Sequence, residues 1–227
     1  GQGGPPLYVQ AGFGIINVIG ASQAMASRML PAGNMKADDP IARFTRWFRE
    51  EVAAGTNHPE AMALATCGSD AMPSVRYILL KQADARGFSF YTDIRSPKGR
   101  QMAQNPRAAM VFYWPRKGRQ VRIDGSVERM TADEADEYWV TRPIASRISG
   151  SVSHQSDRLK SRQELVARVA KLRRELRGKA PVRPNYWLGL RVVPNRIEFW
   201  VQAPFRLHHR ELFVRRGGQW RKTLLQP

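Results

Sequence analysis

The spacing of apolar positions along the chain changes near residue 61. Before it, apolar side chains recur every three or four residues, which predicts an amphipathic helix that begins at Asp39-Pro40 and ends at Gly55. After it, short alternating or continuous apolar runs predict strands. These runs are Ala61–Thr66, Ser74–Lys81, Phe88–Thr92, Ala108–Trp114, Gln120–Glu128, Leu188–Val193, Arg196–Val201, Glu211–Arg215 and Trp220–Leu224.

Turn-forming residues separate these strands over short distances, as at Asp84–Gly87 and Gly217-Gly218. Consecutive strands joined by short turns favour antiparallel pairing, and this many in succession can close into a barrel. The predicted fold class is therefore mainly antiparallel β with peripheral helices, in a single domain over residues 37–227. The peripheral helices are predicted at Pro97–Gln104, from the capping box at Thr131 towards Pro143, and at Ser161–Arg177.

Residues 1–36 differ from the rest of the chain, because they are rich in glycine and small side chains. Their apolar island, Phe13–Ile19, is too short to cross a bilayer and lacks the preceding basic residues of a signal peptide. We expect a flexible N-terminal arm that packs on a partner subunit, and no association with a membrane.

The formal net charge of +18 first suggests nucleic acid or another polyanion as a partner. The basic residues are spread along the chain, however, and neither zinc-finger spacing nor an RNA-recognition signature occurs. Nucleic acid is therefore not expected as the primary partner, since a phosphorylated small molecule needs only a few of these cations. The single cysteine, Cys67, excludes an intrachain disulfide and favours a reducing, cytoplasmic setting.

The stretch Ser74–Arg100 carries the first candidate site. Val75, Tyr77 and Leu79 alternate with Arg76, Ile78 and Leu80, which predicts a strand buried on much of both faces. Ser96 and Pro97 can open a helix whose first turn holds Lys98 and Arg100.

Cations are unfavourable at a helix N-terminus unless an anion such as phosphate binds there. The residues alone leave two interpretations open, an anion site or a capped surface helix with solvated charges.

Two further clusters can carry chemistry. Tyr138 and Arg142 share a helix face, with Ser146 just beyond, which suits a phosphate monoester; a surface Tyr–Arg pair is the alternative. Gln155-Ser156 is predicted to lie in an ordered polar loop, Ser149–Asp157, with His154 as a surface residue.

In an extended stretch, Arg206, His208 and Arg210 would face one way and Leu207 and His209 the other. Such a cationic face suits a phosphorylated or electron-rich ligand, and a polar outer strand face is the alternative. The chain contains no Walker loop, dinucleotide fingerprint, nucleophile elbow or histidine spacing for a metal. The sequence therefore does not favour a hydrolase or a metalloenzyme.

Many short segments match one known family in the right order from about Asp39 to Pro227. The chain resembles the pyridoxamine 5′-phosphate oxidases, the FMN-dependent enzymes of vitamin B6 metabolism. The matching segments are Arg76–Lys81, Phe90-Tyr91-Thr92, Asn105-Pro106-Arg107, Phe112-Tyr113-Trp114, Arg119-Gln120-Val121, Gln155-Ser156, Arg196–Trp200, Arg206–His208 and Leu225-Gln226-Pro227.

The resemblance implies an FMN-binding split β-barrel, a homodimer with FMN between its subunits. It implies oxidation of pyridoxamine or pyridoxine 5′-phosphate to pyridoxal 5′-phosphate, with O2 as acceptor and H2O2 released. Arg206 and His208 would be catalytic and would lie over the substrate ring, and the substrate phosphate would meet Lys81, Tyr138, Arg142 and Ser146. FMN would be held by Arg76, Tyr77, Ile78, Leu79, Leu80, Lys81, Tyr91, Thr92, Lys98, Gln120, Gln155, Ser156, Trp200 and Arg210.

The chain departs from the family pattern at a few positions. Pro97 stands where a basic residue is usual, and His209 stands where an aspartate is usual. The segments Gly150-Ser151-Val152 and Trp187-Leu188-Gly189 also differ from the usual ones, and the N-terminal arm lacks the basic-plus-tyrosine lid of some relatives. Two alternatives stay open: a phenazine-pathway FMN oxidase acting on a tricyclic aromatic, and a non-catalytic flavin-binding split barrel.

Overall fold

The computed structural model describes residues 39–227, so the predicted N-terminal arm lies outside the described residues. The helices are α1 (Pro40–Ala53), α2 (Pro97–Gln104), α3 (Ala132–Thr141), α4 (Ile144–Val152) and α5 (Arg162–Leu176). The strands are β1 (Ala61–Cys67), β2 (Pro73–Leu79), β3 (Gln82–Asp84), β4 (Gly87–Asp93), β5 (Arg107–Trp114), β6 (Arg119–Arg129), β7 (Trp187–Val201), β8 (His209–Arg216) and β9 (Gln219–Leu224).

The strands form one antiparallel sheet in the order β2-β1-β5-β6-β7-β4-β3, with β8 on β7 and β9 on β8. Strand β7 organises it, since its first half pairs with β4 and its second half with β8. One strand thus serves two neighbours on the same side, and the sheet curls into a split barrel. The predicted antiparallel fold class with peripheral helices is confirmed.

Helix α1 packs on the curled sheet, as its apolar spacing predicts. The Asp39 carboxylate caps it by accepting the Ile41 N–H at 2.7 Å. Phe44 and Phe48 are fully buried, and the Phe44 ring lies 4.9 Å from the rings of both Phe88 and Phe112. This aromatic core holds the barrel in shape, and the functional residues lie outside it.

The prediction of two strands over 188–201 was wrong, because β7 runs unbroken from Trp187 to Val201. Pro194 has no N–H to donate, but it lies where the β6–β7 register shifts, between Asp124 and Gly125. A proline is tolerated at such an irregularity, so the strand bends there and continues.

Two other expectations are corrected. The segment predicted as a loop over 149–157 begins as the end of α4, in which the hydroxyls of Ser149 and Ser151 donate to carbonyls four residues earlier. Strand β2 is not buried on both faces in the single chain, since Val75 is 69% and Tyr77 79% exposed. The exposed residues alternate along the strand, so they share one face, and nothing within residues 39–227 of the single chain covers that face.

Candidate functional site

The N-terminus of α2 carries the first cluster of predicted site residues. Ser96 is the N-cap residue, but its hydroxyl donates to the Asp93 carbonyl at 2.6 Å and makes no capping bond. Lys98 Nζ donates to Ser96 Oγ at 3.1 Å and to Gln155 Oε1 at 2.7 Å, and Thr92 Oγ1 donates to the same oxygen at 3.1 Å. The structure thus brings Thr92, Lys98 and Gln155 together at a helix end whose N–H groups are uncapped by a side chain.

Two cations meet at this helix end. Burial and, to a smaller extent, the nearby Arg76 guanidinium lower the pKa of Lys98 to about 8, and Asp93 opposes the shift. Arg76 is fixed from the opposite side by the Thr66 hydroxyl at 2.6 Å and the Leu64 carbonyl at 3.2 Å. Two partly buried cations beside helix N–H groups that no side chain caps are suited to an anion. Arg100, by contrast, is exposed and donates to the Arg95 carbonyl.

A second cationic cluster lies between α3 and α4. The Arg142 guanidinium stands 4.9 Å from the Trp139 ring centroid and 4.8 Å from that of Trp187. Its Nη1 is buried and makes no hydrogen bond within the described residues. Gly150 leaves room for it, because a Cβ at that position would lie only 3.3 Å from Nη1. A buried guanidinium N–H without a partner is costly, so this group is suited to a ligand acceptor.

Lys81 faces the same region. Burial lowers its pKa, Glu60 opposes that shift and Arg142 adds to it. Burial also lowers the pKa of Arg142, where Tyr138 opposes and Arg147 adds to the shift. The charges of Lys81 and Arg142 repel each other inside the protein. A dianionic phosphate would relieve both the repulsion and the unmet N–H.

A stack of three parallel aromatic rings separates two cavities at this site. The Tyr91 ring stacks on Tyr138 at 4.1 Å and on Trp187 at 4.9 Å, with both ring pairs within 7° of parallel, and the Tyr138 and Trp187 rings are 6.2 Å apart. One cavity of about 550 Å³ is lined by Arg142 and Ser146, and the other, of about 330 Å³, by Lys81 and Tyr138. Tyr91 lines both, so the predicted phosphate residues surround one aromatic wall from two sides.

The C-terminal half of the sheet carries the third cluster. Gln120 on β6 lies opposite Trp200 on β7, which lies opposite Arg210 on β8. The His208 ring is 4.6 Å from that of Trp200, and its Nδ1 accepts the Ala203 N–H at 3.2 Å. Gln120, Trp200 and Arg210 therefore line up across three neighbouring strands, and His208 lies beside them just before β8.

The predicted alternation over 206–210 was wrong before His209. Pro204–Arg206 is a 3₁₀ turn, with Phe205 at φ 56° and Arg206 at φ 63°, and β8 starts only at His209. A proline followed by two residues with positive φ cannot be an extended strand. Arg206 is exposed at this turn, next to a Phe205 side chain that is 93% exposed.

The missing aspartate at position 209 does not leave Arg210 without a carboxylate. Arg210 Nε donates to Glu198 Oε1 at 2.7 Å, and its Nη1 donates to the Gln226 carbonyl at 3.0 Å. Glu198 therefore orients Arg210 in this chain.

The remaining predicted residues lie on the edge strand, in the core and in the turn after α4. Leu80 is fully buried, Ile78 is half-buried, and Tyr77 and Leu79 are exposed on the edge strand. Ser156 lies in the turn after α4 at φ 72°, next to the exposed His154, whose surface position is confirmed. These residues present backbone and shape rather than charge.

Sequence reasoning missed two supporting residues. Gln101 on α2 accepts hydrogen bonds from Thr66 at 2.6 Å and Ser74 at 2.9 Å, and so links α2 to the strands that hold Arg76. Trp187 stacks on Tyr91 and carries Arg142 on its face. Trp187 stood out in the sequence only as part of Trp187-Leu188-Gly189, which differs from the family pattern. Gln101 gave no signal, because an isolated glutamine in a short helix has no distinctive pattern.

The curled antiparallel sheet, with cationic clusters on it, places the chain in the class of split-barrel proteins. Within residues 39–227, no helix is long and apolar enough to cross a bilayer. Residues 48–174 match the family model described as pyridoxamine 5′-phosphate oxidase. Residues 187–227 match the model described as the pyridoxine 5′-phosphate oxidase C-terminal dimerisation region. The chain belongs to the pyridoxamine 5′-phosphate oxidase family.

Individual relatives agree with this assignment. The chain is 47% identical to a pyridoxine/pyridoxamine 5′-phosphate oxidase of Rubrobacter xylanophilus, over 83% of this chain and 87% of the relative. It is 46% identical to that of Thermosynechococcus vestitus, over 84% and 90%. Among solved structures, PhzG from Burkholderia lata, in complex with tetrahydrophenazine-1-carboxylic acid, is similar with a TM-score of 0.81 at 35% identity, over 87% of this chain and 97% of that chain.

Proposed function

We propose that this chain is an FMN-dependent oxidase that converts pyridoxamine or pyridoxine 5′-phosphate to pyridoxal 5′-phosphate, with O2 reduced to H2O2. The observation that carries this proposal is the cationic, aromatic-walled pocket around Arg142, whose buried Nη1 has no hydrogen-bond partner within residues 39–227. A phosphorylated aromatic ring supplies both the missing acceptor and a flat surface for the stack.

The residues of this chain fit FMN at two places. The uncapped N-terminus of α2, with Arg76 and Lys98, suits its phosphate, and Gln155 lies within hydrogen-bond reach of Lys98. The row of Gln120, Trp200 and Arg210 suits the rest of the cofactor. The chemistry that bound FMN supplies is acceptance of a hydride equivalent from the 4′ carbon of the substrate and its transfer to O2.

We assign the protein a positioning and electrostatic role in this reaction. Lys81, Tyr138, Arg142 and Ser146 hold the substrate phosphate. Arg206 orients the ring, and His208, whose Nδ1 is engaged by the Ala203 N–H, presents its Nε2 side to the ligand. The amine substrate leaves as an imine that water hydrolyses to the aldehyde, so no covalent nucleophile is required.

The two halves of this site lie at opposite ends of β7. Trp187 belongs to the pocket around Arg142, which we call the Arg142 pocket. Trp200 belongs to the group formed with Gln120, His208 and Arg210 and the neighbouring Arg206, which we call the His208 cluster. The 13 residue steps from Trp187 to Trp200 cover about 40 Å of strand. One mononucleotide does not span that path. We therefore propose a homodimer in which each FMN lies between one protomer's Arg142 pocket and its partner's His208 cluster, which the matched dimerisation region supports.

One observation favours a second candidate. The similar PhzG structure is described with tetrahydrophenazine-1-carboxylic acid, a tricyclic ligand. That candidate does not need the buried cations at Lys81 and Arg142 to meet a phosphate. We therefore place it behind the B6-phosphate oxidase.

Anaerobic titration tests the proposal. The purified protein, loaded with FMN, is mixed with pyridoxamine 5′-phosphate without oxygen, and air is then admitted. We expect loss of the oxidised flavin absorbance, recovery in air, and formation of aldehyde and peroxide. Flavin that stays oxidised with the B6 phosphates but is reduced by a dihydrophenazine carboxylic acid would favour the second candidate.

A further inference from the structure

The charge of this chain exceeds what the proposed oxidase needs, and much of it lies on one segment. Residues 158–179 contain nine arginines and lysines against two glutamates. Helix α5 forms most of this segment, and none of its residues is buried.

The side chains of α5 sort into three flanks around the helix axis, since each residue advances by about 100°. Leu165, Val169, Leu172 and Leu176 share the flank that is partly covered by the protein. The second flank balances its charges through the ion pairs Glu164–Arg168, at 3.4 Å, and Lys171–Glu175, at 3.9 Å.

The third flank carries Arg162, Arg173 and Arg174 and no carboxylate. These arginines make no ion pair within the part of the chain that the structure describes. A shallow hollow of about 410 Å³, lined by Arg162, Val166 and Ala170 among others, lies on the same flank. We call this flank of α5 the arginine flank.

Helix stability does not explain the arginine flank. Arg173 and Arg174 in the last turn complement the helix dipole, but Arg162 is the first helical residue, where a cation is unfavourable. Carboxylates at spacings of three and four residues neutralise the neighbouring flank and are absent from this one. Arg162 and Arg173 lie within about 20° of each other round the helix axis, and Arg174 lies about 100° further round, so one external anionic surface can meet the first two together.

We propose that the arginine flank is a docking surface for the sugar–phosphate backbone of duplex nucleic acid, read without sequence preference. Guanidiniums bind phosphate in a bidentate manner, and Arg162 and Arg173 stand about 16 Å apart along one side of the helix. Residues 158–179 contain no Phe, Tyr or Trp, the side chains on which single-stranded bases stack. Backbone contacts therefore favour a duplex, and this property is independent of the oxidase activity.

The test compares two double variants that remove the same charge from the same helix. R162Q/R173Q removes two of the three charges of the arginine flank, whereas R168Q/K171Q removes two charges of the ion-paired flank. Binding of the full-length protein to a fluorescent 20-base-pair DNA duplex is measured by anisotropy from low to physiological salt. Each lost phosphate contact lowers the slope of log K against log salt by about 0.9, so we expect a loss of about 1.8 in R162Q/R173Q and little change in R168Q/K171Q.

Equal weakening in both variants would show attraction by net charge alone and would overturn the proposal. Stronger binding of a single strand of the same sequence, or of vesicles with one quarter phosphatidylserine, would also overturn it. Thermal unfolding and bound FMN are measured for both variants, and both are expected to match the parent protein. If R162Q/R173Q unfolds early, R174Q alone takes its place, with an expected slope loss of about 0.9.

Discussion

The Arg142 pocket and the His208 cluster differ in how complete they are within one chain. The pocket is enclosed by α3, α4 and β4, and its guanidinium lies against two tryptophan rings. The cluster lies on the outer half of the sheet, beside an exposed turn at Phe205 and Arg206. The first is preformed to bind a charged group, and the second needs a further surface against it.

The difference indicates that binding a phosphate and positioning a ring require different surroundings. Tight binding of one small phosphate monoester favours burial, because a single screened surface cation gains little from it. Ring positioning requires access for substrate and product, so the residues that lie over the ring can stay at an exposed edge. In the proposed dimer, the buried pocket of one protomer would meet the exposed cluster of its partner.

The largest expected effect comes from removing the buried charge. R142A should lower kcat/KM for pyridoxamine 5′-phosphate by roughly 30- to 1000-fold, mostly through KM, because truncating one partner of a buried charge pair costs about 2–4 kcal/mol. Steady-state kinetics with phosphorylated and unphosphorylated vitamers check this. R142K keeps the charge but loses the bidentate donor geometry, so its kcat/KM should lie between those of the parent protein and R142A. An unchanged preference of R142A for phosphorylated vitamers would show that the substrate phosphate does not bind at Arg142.

The exposed turn should affect a different step. R206A should lower kcat by about 100-fold, because a charge that acts on the reacting ring is lost, while the Kd for FMN changes by less than about threefold. The rate of flavin reduction in a stopped-flow instrument and flavin fluorescence titration separate the two effects. Equal losses of both, or of neither, would remove the assigned role of Arg206.

The pH dependence of FMN binding distinguishes the buried cation at α2. Burial lowers the pKa of Lys98 to about 8, so this group loses its proton as the pH rises through 8. Since the charged form binds phosphate, affinity should fall above pH 8 by up to about tenfold per unit. K98M should bind FMN weakly and without this dependence, whereas K117M, at an exposed lysine, should keep the parent profile.

The smallest effect is expected at position 209. H209D restores the carboxylate usual in the family, yet Arg210 already has Glu198 at 2.7 Å. We expect less than about a twofold change in the Kd for FMN, as for an added surface charge. E198Q is the matched comparison, since it should raise the Kd for FMN more than H209D changes it. A larger change in H209D than in E198Q would mean that Glu198 does not orient Arg210.

The sequence predicted the sheet well because alternation and turn residues report local burial. The contact between Lys98 and Gln155 could be expected only from the family resemblance, because 57 residues separate them in the sequence. The sequence-based prediction failed at Pro194, where tertiary pairing carried a strand through a proline, and at Phe205 and Arg206, whose positive φ has no pattern in the side chains. Exposure of Val75 and Tyr77 was also missed, because apolar runs do not reveal whether a neighbouring strand or a second subunit covers them.

Mixed dimers test the central claim that each site combines both regions from different copies. R142A and R206A chains are refolded or co-expressed in equal amounts, and oxidase activity is compared with each variant alone. If the regions meet across the interface, the mixed dimers contain one intact site, and about a quarter of the parent activity should return. If both regions serve the same site within one chain, the mixture would be no more active than the average of the two variants, which would contradict the account.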